Sequence, residues 1–157
     1  MSAYFAENAT FMARLSEKPP ESLLWVSAIS IGEVAASDLN PNRDSQVVRR
    51  FNRFIREHFL VGRINSCLPI DENSRQEYAD IINRLRANYP PTNPRQKTEL
   101  HLVQHAGVDI NDVWIFATAL KHQLTLLTTD KMTKIRTAIP EVRVENWLIS
   151  AASANVP

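Results

Sequence analysis

A chain of 157 residues with 44% apolar and 22% charged residues can bury one sizeable core, and its composition excludes a disordered, fibrous or low-complexity protein. Its 18 basic and 17 acidic residues leave a formal charge of +1, which excludes a polybasic or polyacidic chain but leaves room for a basic face. Cys67 is the only cysteine, so an intramolecular disulfide is excluded and a reducing, cytoplasmic compartment is the simple expectation. Met1 to Glu7 has neither the basic n-region nor the apolar h-region of a signal peptide. The most apolar stretch, Leu23 to Ile31, is too short to span a bilayer, so no membrane role is expected.

In chain order, Phe5 to Lys18 reads as a helix stopped by Pro19-Pro20. Leu23 to Ala28 is a compact apolar run, as in a buried strand. Ser30 to Ser37 reads as helical and is broken at Asn40-Pro41-Asn42. Val47, Phe51, Phe54 and Ile55 mark one face of an amphipathic helix. Cys67 to Ile70 is a short strand, after which Asp71 can cap a helix with Tyr78, Ile81, Ile82 and Leu85 on its apolar face. Asn88 to Pro94 carries three prolines and is a loop. Arg95 to Ala106 reads as a helix closed by Gly107. Asn111 to His122 is a further helix, Leu124 to Thr128 a strand, Lys131 to Ala138 a short helix and Val142 to Val144 a last strand. Such alternation predicts an α/β domain over residues 1–149, with a mainly parallel sheet between helical layers and a small, polar tail over 150–157.

Three acids sit where strands end and helices begin: Glu33 in VSAISIGEV, and Asp112 and Asp130 within Gly107 to Asp130. Acids at such positions can converge at one edge of an open α/β sheet. Carboxylates with no His or Cys beside them suit a hard divalent cation, magnesium or manganese. Each acid also has a plain structural reading. Ser30-Ile31-Gly32-Glu33 has the pattern of a capping box. Asp112 falls in a first helical turn, where the helix dipole favours a carboxylate, and Asn111 beside it reads as the N-cap. Asp130 can cap a helix beginning at Lys131.

Taken together, VSAISIGEV, RINSCLPIDENSRQEYADIINRLR, INDVWIFATALKHQLTLLTTD and the closing VRVENWL resemble the PIN-domain family, in particular the VapC- and FitB-like ribonuclease toxins of type II toxin–antitoxin systems. The resemblance runs from Phe5 to Leu148, and INDVWIFATALKHQLTLLTTD is its most specific part. It implies a three-layer α/β/α fold and hydrolysis of RNA phosphodiester bonds at a site holding Mg2+ or Mn2+. It implies Glu33, Asp112 and Asp130 as metal-holding acids, with the Thr128 hydroxyl helping to arrange the site. It also implies a cognate antitoxin laid along the helices Ser30 to Ser37 and Val47 to Phe59, and homodimerisation.

Two departures from the family pattern stand out. The family opens with a central strand ending in Asp; this sequence shows no such strand, and Met1 to Asn8 contains no Asp. Either the start lies elsewhere or the chain is a truncated relative with a weakened site; the alternative to a nuclease is therefore a PIN-derived protein that binds antitoxin or RNA without cleavage. Phe116 stands where the family has a small residue, so either it fills space left by that strand or neighbours accommodate it. A third reading leaves the acids as helix caps in a structural domain.

The remaining polar features read mainly as surface. His101 and His105 have zinc-compatible spacing, but Leu102 stands where a metalloprotease has Glu, so an exposed helix face is the stronger reading. Arg49, Arg53 and Arg56 form a stripe with Glu57 as partial balance, the usual pattern of a solvated face. Lys131 and Lys134 follow Asp130 and either hold phosphate or face solvent. Trp25, Trp114 and Trp147 read as core anchors rather than base-stacking platforms.

Overall fold

The computed structural model describes residues 8–19, 24–38, 45–60, 64–91 and 107–148. They fall into two compact units, one of residues up to Pro69 together with those from Asn146, the other Ile70–Glu145.

The first unit contains helix α1 (Ala9–Ser16), strand β1 (Leu24–Ser27), helix α2 (Ala28–Asp38), helix α3 (Ser45–Leu60) and strand β2 (Ile64–Leu68). Helix α1 starts where the Asn8 side chain accepts from the Phe11 N–H at 3.0 Å. Its buried residues are Phe11 and Leu15, one helical turn apart. The Phe11 ring packs edge-on to Phe54 of α3, centroids 5.8 Å apart, and lies 5.5 Å from Trp147. Lys18 covers the Trp147 ring at 5.3 Å. Strands β1 and β2 pair in parallel, Val26 opposite Cys67 and Ser27 opposite Leu68, with a register shift after Leu24. Trp147 is a core anchor as expected, whereas Trp25 is 36% exposed on β1 and is not. The strand expected at Cys67–Ile70 runs instead from Ile64 to Leu68.

The second unit contains helix α4 (Ser74–Asn88), helix α5 (Ile110–Lys121), strand β3 (Leu126–Leu127), helix α6 (Thr133–Ala138) and strand β4 (Val144–Glu145). The expected apolar face of α4 is its buried face: Tyr78, Ile81, Ile82 and Leu85. It packs against Val113, Phe116, Ala117 and Ala119 of α5, with Ile135, Ala138, Ile139 and Val142 completing the core. Phe116 is fully buried, so the bulky ring is accommodated by this core. Trp114 stacks on Tyr78 at 3.9 Å and 18°, tying the same two helices on their flank.

Strands β3 and β4 are parallel, Leu126 opposite Val144 and Leu127 opposite Glu145. Parallel pairing is thus as expected, but among the described residues it occurs as two two-stranded sheets rather than one continuous sheet. The helix expected at Arg95–Ala106, with His101 and His105, lies outside the described residues, as does the tail from Ser150. Gly107 has φ 58°, the left-handed conformation expected of a C-cap glycine.

An ion pair joins the two ends of the α4–α5 pair. Lys121 Nζ donates to both Asp71 carboxylate oxygens, at 2.6 and 2.7 Å. Asp71 Oδ1 also accepts from the Ser74 N–H and hydroxyl, both at 2.9 Å, satisfying a donor at the start of α4. The Lys121 bond, reinforced by those from Ser74, holds the Asp71 carboxyl well below the usual carboxylate range. Its contribution is therefore complete above the unfolded value of about 3.9 and is lost as pH falls below it. Asp71→Asn is expected to lower the thermal midpoint at pH 7. The gap to the parent should close as pH drops from about 5 towards 2, read by circular dichroism; a gap independent of pH would remove the ion pair as its cause.

Candidate functional site

Helix α5 begins at Asp109, whose extended backbone (φ −74°, ψ 136°) and side chain, accepting from the Asn111 N–H at 2.8 Å, make it the N-cap. The sequence reading placed the cap at Asn111; the local signal was an Asp two residues earlier, preceded by the glycine Gly107. Asp112 is half-buried in the first turn, as expected. The buried residues Val113, Phe116 and Ala117 that follow set the rotation of the helix and so the position of Asp112 on it.

The far end of α5 turns sharply. Gln123 takes a left-handed φ of 53°, its N–H bonds to the Leu120 carbonyl at 3.1 Å, and the Leu124 N–H bonds to the Ala119 carbonyl at 2.9 Å. This is the Schellman pattern, with a glutamine where glycine is usual. The chain leaves it through Leu124 and Leu126, both packed on the core that contains α5.

Strand β3 ends with the Thr128 N–H donating to the Glu145 carbonyl at 3.1 Å. The Thr128 side chain is 1% exposed, and its hydroxyl oxygen accepts from the Asp130 N–H at 3.1 Å. This turn holds the Asp130 backbone while its carboxylate stays exposed. Helix α6 does not start at Lys131. It starts at Thr133, after Met132 with φ 42° and ψ 36°, and has no side-chain cap bond. The expected capping role of Asp130 is therefore overturned: the left-handed Met132 stands between it and the helix. Lys134 lies 5.5 Å from the Tyr89 ring, and Lys131 is exposed.

Glu33 lies in the first unit and is exposed on α2. The capping-box reading also fails. Helix α2 begins at Ala28, where Ser27 Oγ accepts from the Ile29 N–H at 3.2 Å, so Ser30 is inside the helix and Glu33 is its sixth residue. An apolar run that passes directly from strand to helix hides the true start from sequence. Gly32 precedes Glu33 in mid-helix, with open space around the position a Cβ would take.

Among the described residues no three His, Cys, Asp or Glu side chains form a metal-holding group. Thr128, Asp130 and Asp112 belong to one unit and Glu33 to the other. The donor set is oxygen only, which suits a hard cation, and magnesium keeps several of its waters, so a few carboxylates are enough. Glu77 was passed over in the sequence reading: it sits in the first turn of α4, and its Oε2 is buried without a hydrogen-bond partner. The Asp71–Lys121 pair brings the start of α4 to the end of α5, away from Asp112.

A family model described as PIN domain matches residues 3–138. No curated protein matches the chain in sequence. Among solved structures, a chain of VapBC-1 from nontypeable Haemophilus influenzae is similar with a TM-score of 0.59 at 21% identity, over 89% of this chain and 86% of that one. A chain of FitAB bound to an IR36 DNA fragment is similar with a TM-score of 0.58 at 23% identity, over 91% and 85%. At such identities the likeness is one of fold.

Two stability measurements check the local geometry. Thr128→Val should cost about 1 kcal/mol in urea unfolding, because the Asp130 N–H loses its acceptor, and Thr128→Ser should recover most of it. Asp130→Asn should stay within about 0.5 kcal/mol of the parent, where loss of a helix cap would cost about 1 kcal/mol. Separately, Gly32→Ala should stabilise by roughly 0.4–1 kcal/mol, since the space is open and the helical backbone suits alanine.

Proposed function

We propose that this chain, which belongs to the PIN domain family, is a metal-dependent ribonuclease that hydrolyses RNA phosphodiester bonds as the toxin of a toxin–antitoxin module. What supports this reading is the match of residues 3–138 to the PIN domain model, together with Asp112 in the first turn of α5 and a Thr128 hydroxyl that fixes the turn presenting Asp130. Neither Glu33 nor Asp130 caps the helix that its sequence pattern assigned to it.

Asp112 and Asp130 would hold Mg2+ or Mn2+, with Thr128 as a positioning residue; Glu33 is the third acid that the family resemblance implies. The ion supplies charge for the phosphate and lowers the pKa of a bound water. The first-turn location of Asp112 sets its side chain beside the positive end of the helix dipole, a favourable position for an acid. The buried Thr128 prevents the Asp130 turn from shifting when a ligand approaches. Lys131, exposed next to Asp130, is available to an incoming phosphate; Lys134 leans on Tyr89 and is less so.

The neighbours named VapBC-1 and FitAB support an antitoxin as the protein partner, and we extend the proposal to a homodimer working in the cytoplasm. No described helix is long and apolar enough to cross a membrane.

The test is cleavage of a labelled RNA in Mg2+ or Mn2+ by the purified chain. Asp112→Asn and Asp130→Asn should each lower the rate by at least about 100-fold while leaving the thermal midpoint near that of the parent, as expected for groups that act on charge developing in the reaction. RNA bound but not cut, with no response to metal, would instead identify a binding protein that has kept the fold.

A further inference from the structure

Among the described residues, two that are not glycine have left-handed backbone: Gln123 with φ 53° and Met132 with φ 42° and ψ 36°. Gln123 is accounted for, because it fills the position of a Schellman turn that requires such a residue. Met132 has no such account. It directly precedes α6, and its carbonyl accepts from the Arg136 N–H at 3.0 Å, so it stands at the N-cap. A methionine side chain has no oxygen with which to cap. The residues at the same position before α1 and α5, Asn8 and Asp109, are extended and cap with their side chains.

Left-handed backbone at a residue with a Cβ carries strain that glycine would not have, and that asparagine tolerates better than methionine. Such strain persists where the surroundings over-determine it. Here the Met132 side chain is half-buried and packed on the core, one helical turn before the buried Ile135.

The consequence lies two residues upstream. The Asp130 N–H is held by the Thr128 hydroxyl at 3.1 Å, and the left-handed residue turns the chain before α6 begins. Helical backbone at Met132 would let α6 run back to Lys131, with Asp130 at its N-cap. The carboxylate would then accept from first-turn N–H groups, and those lone pairs would be engaged by the helix. In the left-handed form α6 starts at Thr133 without a side-chain cap, and Asp130 is exposed. Two local features thus lower stability, a strained residue and an uncapped helix, and both go with an Asp130 carboxylate kept off that helix.

We propose that Met132 is a positioning residue for the divalent ion: its left-handed backbone holds the Asp130 carboxylate clear of α6 and open to the metal. This rests on the reading of Asp130 as an acid that holds Mg2+ or Mn2+, and adds to it the residue that keeps the acid available.

The test is Mn2+ binding to the full chain without RNA, read from the free-ion signal in electron paramagnetic resonance, at a temperature where circular dichroism shows each variant folded. Glycine and asparagine accept left-handed backbone but give up the packed side chain; alanine gives up the same side chain and favours the helix. Met132→Ala should weaken Mn2+ binding on the order of tenfold, the low end of what losing a group that orients a metal ligand costs. Met132→Gly and Met132→Asn should bind close to the parent, although they lose the same packing. In an Asp130→Asn background, where binding is already weak, Met132→Ala should change it no further, because its effect passes through Asp130.

Equal losses in Met132→Ala and Met132→Gly would assign the effect to the packed side chain and overturn the proposal. Parent-like binding by Met132→Ala, or a further loss in the Asp130→Asn background, would also overturn it. Each of these results leaves the metal reading of Asp130 in place. Absence of Mn2+ binding by the parent, or binding unchanged by Asp130→Asn, overturns that reading and the proposal with it.

Discussion

The packing of α4 on α5 is the constraint on which the rest of the second unit depends. Ile81, Leu85, Val113 and Phe116 are all fully buried, and a dense core tolerates neither a rotation of α5 nor a slide along it. Fixing the rotation fixes Asp112, one residue before Val113. Fixing the slide fixes the Schellman turn at Gln123 and the line along which Leu124 and Leu126 return. The position of Thr128 follows, and with it the Asp130 turn. The backbone positions of both acids thus depend on an apolar contact in which neither takes part. The ion pair of Asp71 with Lys121 ties the start of α4 to the end of α5, so charge holds one end of the same helix pair.

Much of this was legible because the responsible residues are periodic. Tyr78, Ile81, Ile82 and Leu85 announce one buried face, and the run from Val113 to Ala119 announces a helix that is apolar nearly all round. Proline punctuation falls just beyond the ends of α1 and α4, and Gly107 adopts the backbone expected of it. Acid positions relative to strand ends were equally readable, since they depend only on element order.

What sequence misjudged was local competition among caps and registers. Ser30 and Glu33 satisfy the pattern of a capping box, but Ser27 stands at the end of β1, and an apolar stretch from Trp25 to Ile31 carries no mark of where extended backbone becomes helical. Asn111 lost the cap to Asp109 because both side chains can do the job and only the backbone angles decide. Asp130 lost its cap because Met132 enters the left-handed region, a conformation that no pattern assigns to methionine. Trp25 reached the surface on the strand face that β1 leaves uncovered, a matter of tertiary cover rather than of hydrophobicity.

These misjudgements bear on function. A carboxylate at a helix start is ordinarily explained by the helix it caps, and that explanation requires the helix to begin beside it. Here α2 begins five residues before Glu33, and α6 begins three residues after Asp130 across a left-handed methionine. The buried hydroxyl of Thr128 bonds the backbone of Asp130 and leaves its carboxylate exposed, which holds the acid in place without neutralising it. A carboxylate positioned by a buried hydroxyl, yet excluded from local capping, is arranged as a ligand would need it. Stability alone would have placed Asp130 nearer to the start of α6, where the dipole and the free N–H groups reward an acid. Asp130 stands outside that reward, so its position beside the buried Thr128 hydroxyl is not explained by helix capping.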